Sequence, residues 1–364
     1  MSPRHRKGSA PQEIRFCRAP DGARIAYAVH GSGPPLLIST CWLSHLQFDW
    51  ESPVWRHFVS ELGRIATVIR FDERGHGLSD WDVTDLSLES RIGDLKAVAD
   101  DAGFDRFAMM AMAQGGPVAI SYAVRHPERV SRLMFYDSYA NRLRGMTAED
   151  IELEDAFDHV IKAGWGRPES TFRRVFSSMM IPGATEEQMR WLDELMRVSV
   201  SASNMVRAKQ QRNNADVSDL LPQLRVPTLI LHARGDRMNS FEHGRHLASS
   251  IRGARLVALE SQNHILLEDE PAWPVFLDEV ERFLAPDRPK SSAGPESAAL
   301  DTLTDRELEV LTLAAQGRDN EEMAQSLRLS VRTVERHLQN IYAKLDIQGK
   351  SARAAAVARL LTTS

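Results

Sequence analysis

The stretch LTDRELEVLTLAAQGR, residues 303–318, converts most directly into a fold. Thr304 suits an N-cap, and Glu307, three residues on, completes a capping box for two otherwise orphaned backbone donors. Leu308, Leu311 and Ala315 recur at helical spacing, and Gly317 ends the helix. EEMAQSL, residues 321–327, predicts a second, shorter helix with Met323, Ala324 and Leu327 as its apolar face. Arg328 and Leu329 make a turn, and Ser330 caps a third helix, Val331 to Leu345. Val334, Leu338, Ile341 and Leu345 share one face of it, while Arg332, Glu335, Arg336, Gln339 and Lys344 point elsewhere. Short helix, tight turn and polar-faced longer helix predict a helix-turn-helix whose last helix enters a major groove. From Ala324 onward seven cations oppose only Glu335 and Asp346, although the whole chain carries −5. The basic patch is therefore local, as phosphate binding requires.

Residues 301–364 resemble the LuxR-type output domain. Leu303, Thr304, Arg306, Glu307, Glu309, Val310 and Leu311 begin the match. Gly317, Asn320, Ala324, Leu327 and Ser330 continue it, and Thr333, Val334, Glu335, His337, Asn340, Ile341, Lys344 and Leu345 complete it. The resemblance implies a homodimer on double-stranded DNA, with Glu335, Arg336 and Gln339 toward base edges and Arg332, Thr333 and Lys344 on phosphates. In SARAAAVARLL, residues 351–361, Ala354, Val357, Ala358 and Leu361 form a stripe. It suits either pairing of two domains or packing within one.

Working back from this unit, APDRPKSSAGPESAA (285–299) has linker composition, and a linker is expected over 285–300. At 364 residues the chain exceeds what one core usually organises, so two domains are expected. No 18-residue apolar run exists, which predicts no membrane span. MSPRHRKGSAPQE lacks the apolar stretch of a secretory signal and reads as a disordered basic arm over 1–11. Only Cys17 and Cys41 occur, consistent with a cytoplasmic location and no disulfide framework. No Cys/His spacing suggests a metal, no Gly-rich phosphate loop appears, and no cofactor is expected.

Between residues 12 and 284 apolar strands alternate with helical patterns. Glu13–Ala19 and Arg24–Gly31 predict a hairpin around Asp21-Gly22. Further strands are expected at Leu36–Thr40, Ala66–Asp72, Arg106–Ala113, Arg132–Ser138, Thr228–Arg234 and Arg255–Glu260. Helices are expected near Val54–Leu62, Leu88–Gly103, Gly116–Arg125, Glu242–Ile251 and Trp273–Leu284. Near-continuous apolar strands separated by helices predict an α/β fold with a mostly parallel sheet covered on both faces. Residues 139–221 carry helical patterns only, with Trp165, Phe172, Phe176, Met179, Met180, Trp191, Met196 and Met205. They predict a helical lid over the carboxyl ends of the strands.

This region resembles the α/β-hydrolase fold, on four landmarks in order: FDERGHGLSD (71–80), AQGG (113–116), RGD (234–236) and NHILLEDEP (263–271). The family places its nucleophile in G-x-S-x-G at a strand-to-helix elbow, followed by an acid and a His. The matching segment here is Ala111-Met112-Ala113-Gln114-Gly115, with Asp236 and His264 at the acid and base positions. Ala113 has no atom that can attack a carbonyl, so no acyl-transfer activity is expected. Gln114 N–H and a group near Trp42 are the expected oxyanion donors. These features predict a ligand-responsive regulator whose degenerate hydrolase domain holds a small, largely apolar carbonyl or hydroxyl compound. The expected contacts are Trp42, Ala113, Gln114, His264, Trp165 and Met180. Two alternatives stand beside it: a nucleophile-free reaction using the His-Asp pair, and a scaffold with a collapsed pocket.

Overall fold

The computed structural model describes residues 12–39, 43–285, 303–327, 329–345, 347 and 352–363. The arm at 1–11, Trp42, Cys41, Arg328 and all of the linker but Ala285 lie outside them. The chain divides into two compact units, residues 1–284 and 285–364.

The first unit is built on eight strands: β1 (Glu13–Arg18), β2 (Arg24–Gly31), β3 (Pro35–Ser39), β4 (Thr67–Phe71), β5 (Phe107–Met112), β6 (Val130–Tyr136), β7 (Thr228–Ala233) and β8 (Arg255–Leu259). They form one sheet in the order β1-β2-β4-β3-β5-β6-β7-β8. β1 and β2 pair antiparallel with their neighbours, and all later pairings are parallel. The hairpin closes with Ala19 N–H on Ala23 O, and Gly22 takes the left-handed conformation (φ 91°) that the turn needs. All six side chains of β5 (FAMMAM) and of β7 (TLILHA) are buried, as expected for strands covered on both faces.

The covering helices are α1 (Leu46–Trp50), α2 (Arg56–Ile65), α3 (Leu88–Asp101), α4 (Gly115–Arg125), α9 (Phe241–Ser250) and α10 (Ala272–Leu284). Four lid helices lie between β6 and β7 in sequence: α5 (Ala148–Gly164), α6 (Thr171–Met180), α7 (Glu186–Ser199) and α8 (Ala202–Asn213). Thr147 and Thr185 begin α5 and α7 with full capping boxes to Asp150 and Gln188. Two apolar clusters flank the sheet. The one containing Met112 and Tyr136 extends into the lid through Trp165, Phe176 and Met196. The other packs Ile92, Leu95 and Val98 of α3 beneath Met109 and Phe135.

The strand forecasts fall within a residue or two of the observed ends, whereas helix α1 was passed over by the sequence reading. His45 caps α1, its Nδ1 accepting from Phe48 N–H at 3.3 Å.

The second unit contains α11 (Asp305–Ala315), α12 (Asn320–Leu327), α13 (Val331–Lys344) and α14 (Ala352–Thr363). Thr304 and Glu307 form the expected capping box, with Thr304 N–H on Glu307 Oε2 at 2.8 Å and Glu307 N–H on Thr304 Oγ1 at 3.3 Å. The inward face of α11 is Val310, Leu311 and Ala314, whereas Leu308 is 42% exposed. The anticipated Leu308–Leu311–Ala315 stripe is thus rotated by part of a turn. Val334, Leu338, Ile341 and Leu345 are buried together as forecast, with Met323 and Ala324 from α12. α14 joins this core through Ala356, with Val357 and Leu360 partly buried against it, while Ala354 is exposed. Of the forecast stripe, Val357 packs within its own domain, the second of the two expectations, and Ala354 does not; the side chains of Ala358 and Leu361 lie outside the described residues.

Candidate functional site

Ala113 follows β5 and precedes α4 with φ 45°, a left-handed conformation that costs about 1–2 kcal/mol for an L-residue. Neighbouring contacts hold it there. Ala113 N–H donates to Tyr136 O at 3.0 Å, and Ala113 O accepts from Ser138 Oγ at 2.6 Å. The tight turn also requires the glycines after it. A Cβ on Gly115 would meet Ser39 O at 2.4 Å, and one on Gly116 would meet Tyr139 O at 2.1 Å. Gln114 N–H has no partner among the described residues, as an oxyanion donor at such an elbow would require.

His264 and Asp236 come together although 28 residues separate them. His264 Nδ1 lies 2.7 Å from Asp236 Oδ2, both side chains being buried. Asp236 is held by Met238 N–H at 2.7 Å, and His264 by its own N–H on Met180 O at 2.7 Å and by Tyr136 Oη donating to its carbonyl at 2.9 Å. With Nδ1 engaged, Nε2 is left without a partner among the described residues. Burial alone would raise the Asp236 pKa, but the charge and hydrogen bond of His264 outweigh it and lower the carboxyl.

Asp137, directly after β6, is a third member that the sequence reading missed. Its ligating atom lies within 4.8 Å of those of Asp236 and His264. Burial, and then the Asp236 charge, push the Asp137 carboxyl well above the usual range. Oδ1 accepts from Ala233 N–H at 2.7 Å, and Oδ2 has no partner among the described residues. The two carboxyls are thus shifted in opposite directions, Asp137 upward and Asp236 downward, within one buried group. The only hint in the sequence is an Asp ending the apolar run LMFY.

A cavity of about 80 Å³ lies against this constellation. Ala113, Gln114, Met180 and His264 line it, with Phe157 and Phe176 among its apolar walls. Trp165 does not line it. Its ring stands behind Phe176, edge-on with centroids 5.7 Å apart, and its Nε1–H donates to Val200 O at 3.1 Å. Trp165 is a packing residue of the lid, its one polar atom satisfied internally. The sequence reading also missed the cavity's charge: Arg142, Glu154, Lys209 and Arg212 reach it from the lid.

In the second unit, Arg332, Glu335, Arg336 and Gln339 are exposed on α13, and their side chains make no hydrogen bond or ion pair among the described residues. Thr333 is partly buried, its N–H on Ser330 Oγ at 3.1 Å as part of the cap. Lys344 departs from the expectation of a free phosphate contact. Its Nζ pairs with Glu307 Oε2 at 2.7 Å, tying α13 back to α11. No described helix is long and apolar enough to cross a membrane.

Comparison with known proteins finds a match in each unit. Residues 34–177 match the family model of the alpha/beta hydrolase fold, and residues 301–357 that of bacterial regulatory proteins, luxR family. The chain is 26% identical over 247 residues to the AB hydrolase superfamily protein YisY of Bacillus subtilis, covering 64% of this chain and 86% of that one. It is 28% identical over 254 residues to the 2-hydroxy-6-oxo-2,4-heptadienoate hydrolase of Pseudomonas putida, covering 63% of this chain and 78% of that one. Among solved structures, an esterase from Exiguobacterium antarcticum superposes with a TM-score of 0.62 at 23% identity, covering 74% of this chain and 98% of its own.

Proposed function

We propose that this chain, in which an α/β-hydrolase-fold domain precedes a luxR-family regulatory domain, is a ligand-responsive transcription regulator whose sensor binds without turnover. The observation that carries the reading is Ala113. It occupies the left-handed elbow beside a paired Asp236 and His264 and a cavity, which supports a binding site without an attacking atom at the elbow. Hydrolases are among its relatives, and their covalent route needs a hydroxyl or thiol at the elbow. Binding then acts through a difference in affinity between DNA-competent and incompetent states, where about 1–3 kcal/mol gives a roughly 5- to 150-fold change. The regulator works as a cytoplasmic homodimer on double-stranded DNA.

The test combines two measurements on purified full-length protein. p-Nitrophenyl esters and lactones are expected to be hydrolysed no faster than in buffer. Small carbonyl compounds that raise the melting temperature are expected to alter operator affinity. One observation favours a second reading: the unpartnered His264 Nε2 could serve as a general base without a covalent intermediate. Substrate consumption that disappears in His264→Ala would select that reading.

A further inference from the structure

We propose that the cavity beside Ala113 recognises a carboxylate, so that the ligand is a small organic acid with an apolar body. This inference rests on the sensor reading and specifies its ligand class.

Arg212, on α8, reaches the cavity with a side chain only 5% exposed. Its Nη2 donates to Glu73 Oε2 at 2.7 Å, but Nη1 and Nε have no partner among the described residues. Glu73 does not balance Arg212 alone. Arg91 places two N–H donors on Glu73 Oε1, at 3.2 and 2.6 Å, so two buried guanidinium groups share one carboxylate. The other lid charges facing the cavity are matched. Arg142 and Lys209 pair with Glu154 at 2.9 and 3.1 Å, and Lys209 also pairs with Asp158 at 3.0 Å. The uncompensated charge thus belongs to Arg212 and Arg91.

The hydrogen-bond account points the same way. Beside His264 Nε2, the unpartnered buried side-chain atoms on the cavity wall are Arg212 Nη1, Arg212 Nε and Gln114 Nε2, three donors on two side chains. Gln114 N–H is a further free donor nearby. A site with open donors and a surplus cation is answered by a group that only accepts and is negatively charged. An ester or alcohol could fill a hydrogen bond but would leave the buried charge unpaired, which is the expensive state. Phe157, Phe176, Met179 and Met180 provide apolar contact for the remainder of the acid.

The test titrates benzoate, phenylacetate and hexanoate, each beside its primary amide, into the full-length protein by calorimetry. At least one acid is expected to bind roughly tenfold or more tightly than its amide, the scale of a charge-assisted hydrogen bond. Arg212→Gln should reduce that acid to the affinity of the amide. Glu73→Gln, which leaves both guanidinium groups without their shared counter-ion, should tighten it. Should Arg212→Gln fail to fold, Arg212→Lys must retain a preference for acid over amide, and loss of that preference counts against the proposal. Amides binding as tightly as acids, with Arg212→Gln indifferent to both, would overturn the carboxylate assignment while leaving a ligand-binding sensor. Binding by none of the six compounds would overturn the sensor reading as well.

Discussion

His264 Nδ1 and Asp236 Oδ2 lie 2.7 Å apart, buried, in a protein whose elbow residue is alanine. Such a pair orients an imidazole so that Nε2 faces the reacting group in acyl transfer. Here the residue at the elbow is Ala113, whose side chain carries no hydroxyl or thiol.

Supplying a hydroxyl is the direct experiment. Ala113→Ser should confer slow hydrolysis of p-nitrophenyl acetate, roughly 100-fold above the parent if His264 acts as general base. The double variant with His264→Ala should lose that gain. An Ala113→Ser protein as inert as the parent would mean that the elbow and the imidazole are not in reacting register.

Filling the cavity separates sensing from output. Ala113→Phe places a ring in a space of about 80 Å³. Operator binding measured by fluorescence anisotropy should persist, while the response to any ligand of the parent should vanish. A variant that responds as the parent does would move the ligand to another surface.

The charged residues of α13 divide into two kinds. Arg336→Ala should weaken operator binding by about 1–3 kcal/mol and relax base choice, since its side chain is exposed and unengaged. Arg332→Ala should lower the slope of log affinity against log salt by about one. Lys344→Ala should instead lower the stability of residues 303–363 by up to about 1 kcal/mol, because it removes the partner of Glu307. A changed salt slope for Lys344→Ala, at unchanged stability, would return that residue to the phosphate contacts.

His57 makes a pH prediction with a defined sign. Burial lowers its pKa from 6.5 to about 4, although its Nε2 engages Leu266 O. Between those values the unfolded chain takes up a proton that the folded chain refuses. The contribution of His57 is therefore complete above pH 6.5 and is lost as pH falls toward about 4. Compared with His57→Gln, the parent should lose relative stability on acidification by at most about 1.4 kcal/mol per pH unit. Urea unfolding at several pH values reads this gap, and a gap independent of pH would disprove the linkage.

Much of this architecture is legible in local pattern. FAMMAM reads as a strand buried on both faces, and Thr304 with Glu307 reads as a cap, because each signal is complete within six residues. Ala113, Asp236 and His264 were found through order along the chain. What escaped has its cause at long range. Glu73 and Arg212 are 139 residues apart, and nothing near either announces the other. The upward shift of Asp137 comes first from burial and then from Asp236, a carboxylate at the end of a different strand, and Trp165 was misassigned because its acceptor, Val200, lies on another lid helix boundary. Leu308 was misassigned for a local reason: spacings of three and four residues admit neighbouring faces of α11, and packing chose the one through Val310.

The separate cores have a spectroscopic consequence. Trp42, Trp50, Trp55, Trp81, Trp165, Trp191 and Trp273 all belong to residues 1–284, and the second unit contains no tryptophan. Indole emission therefore follows the melting of the hydrolase-fold unit alone, whereas helical ellipticity records both. Each unit has its own apolar cluster to lose, so heating should give two optical midpoints where one would define a single cooperative molecule. An acid that shifts the indole midpoint and leaves the later or earlier ellipticity step in place acts on the hydrolase-fold unit only. One that shifts both gives the free energy by which the two units are linked, with no operator present in the cuvette.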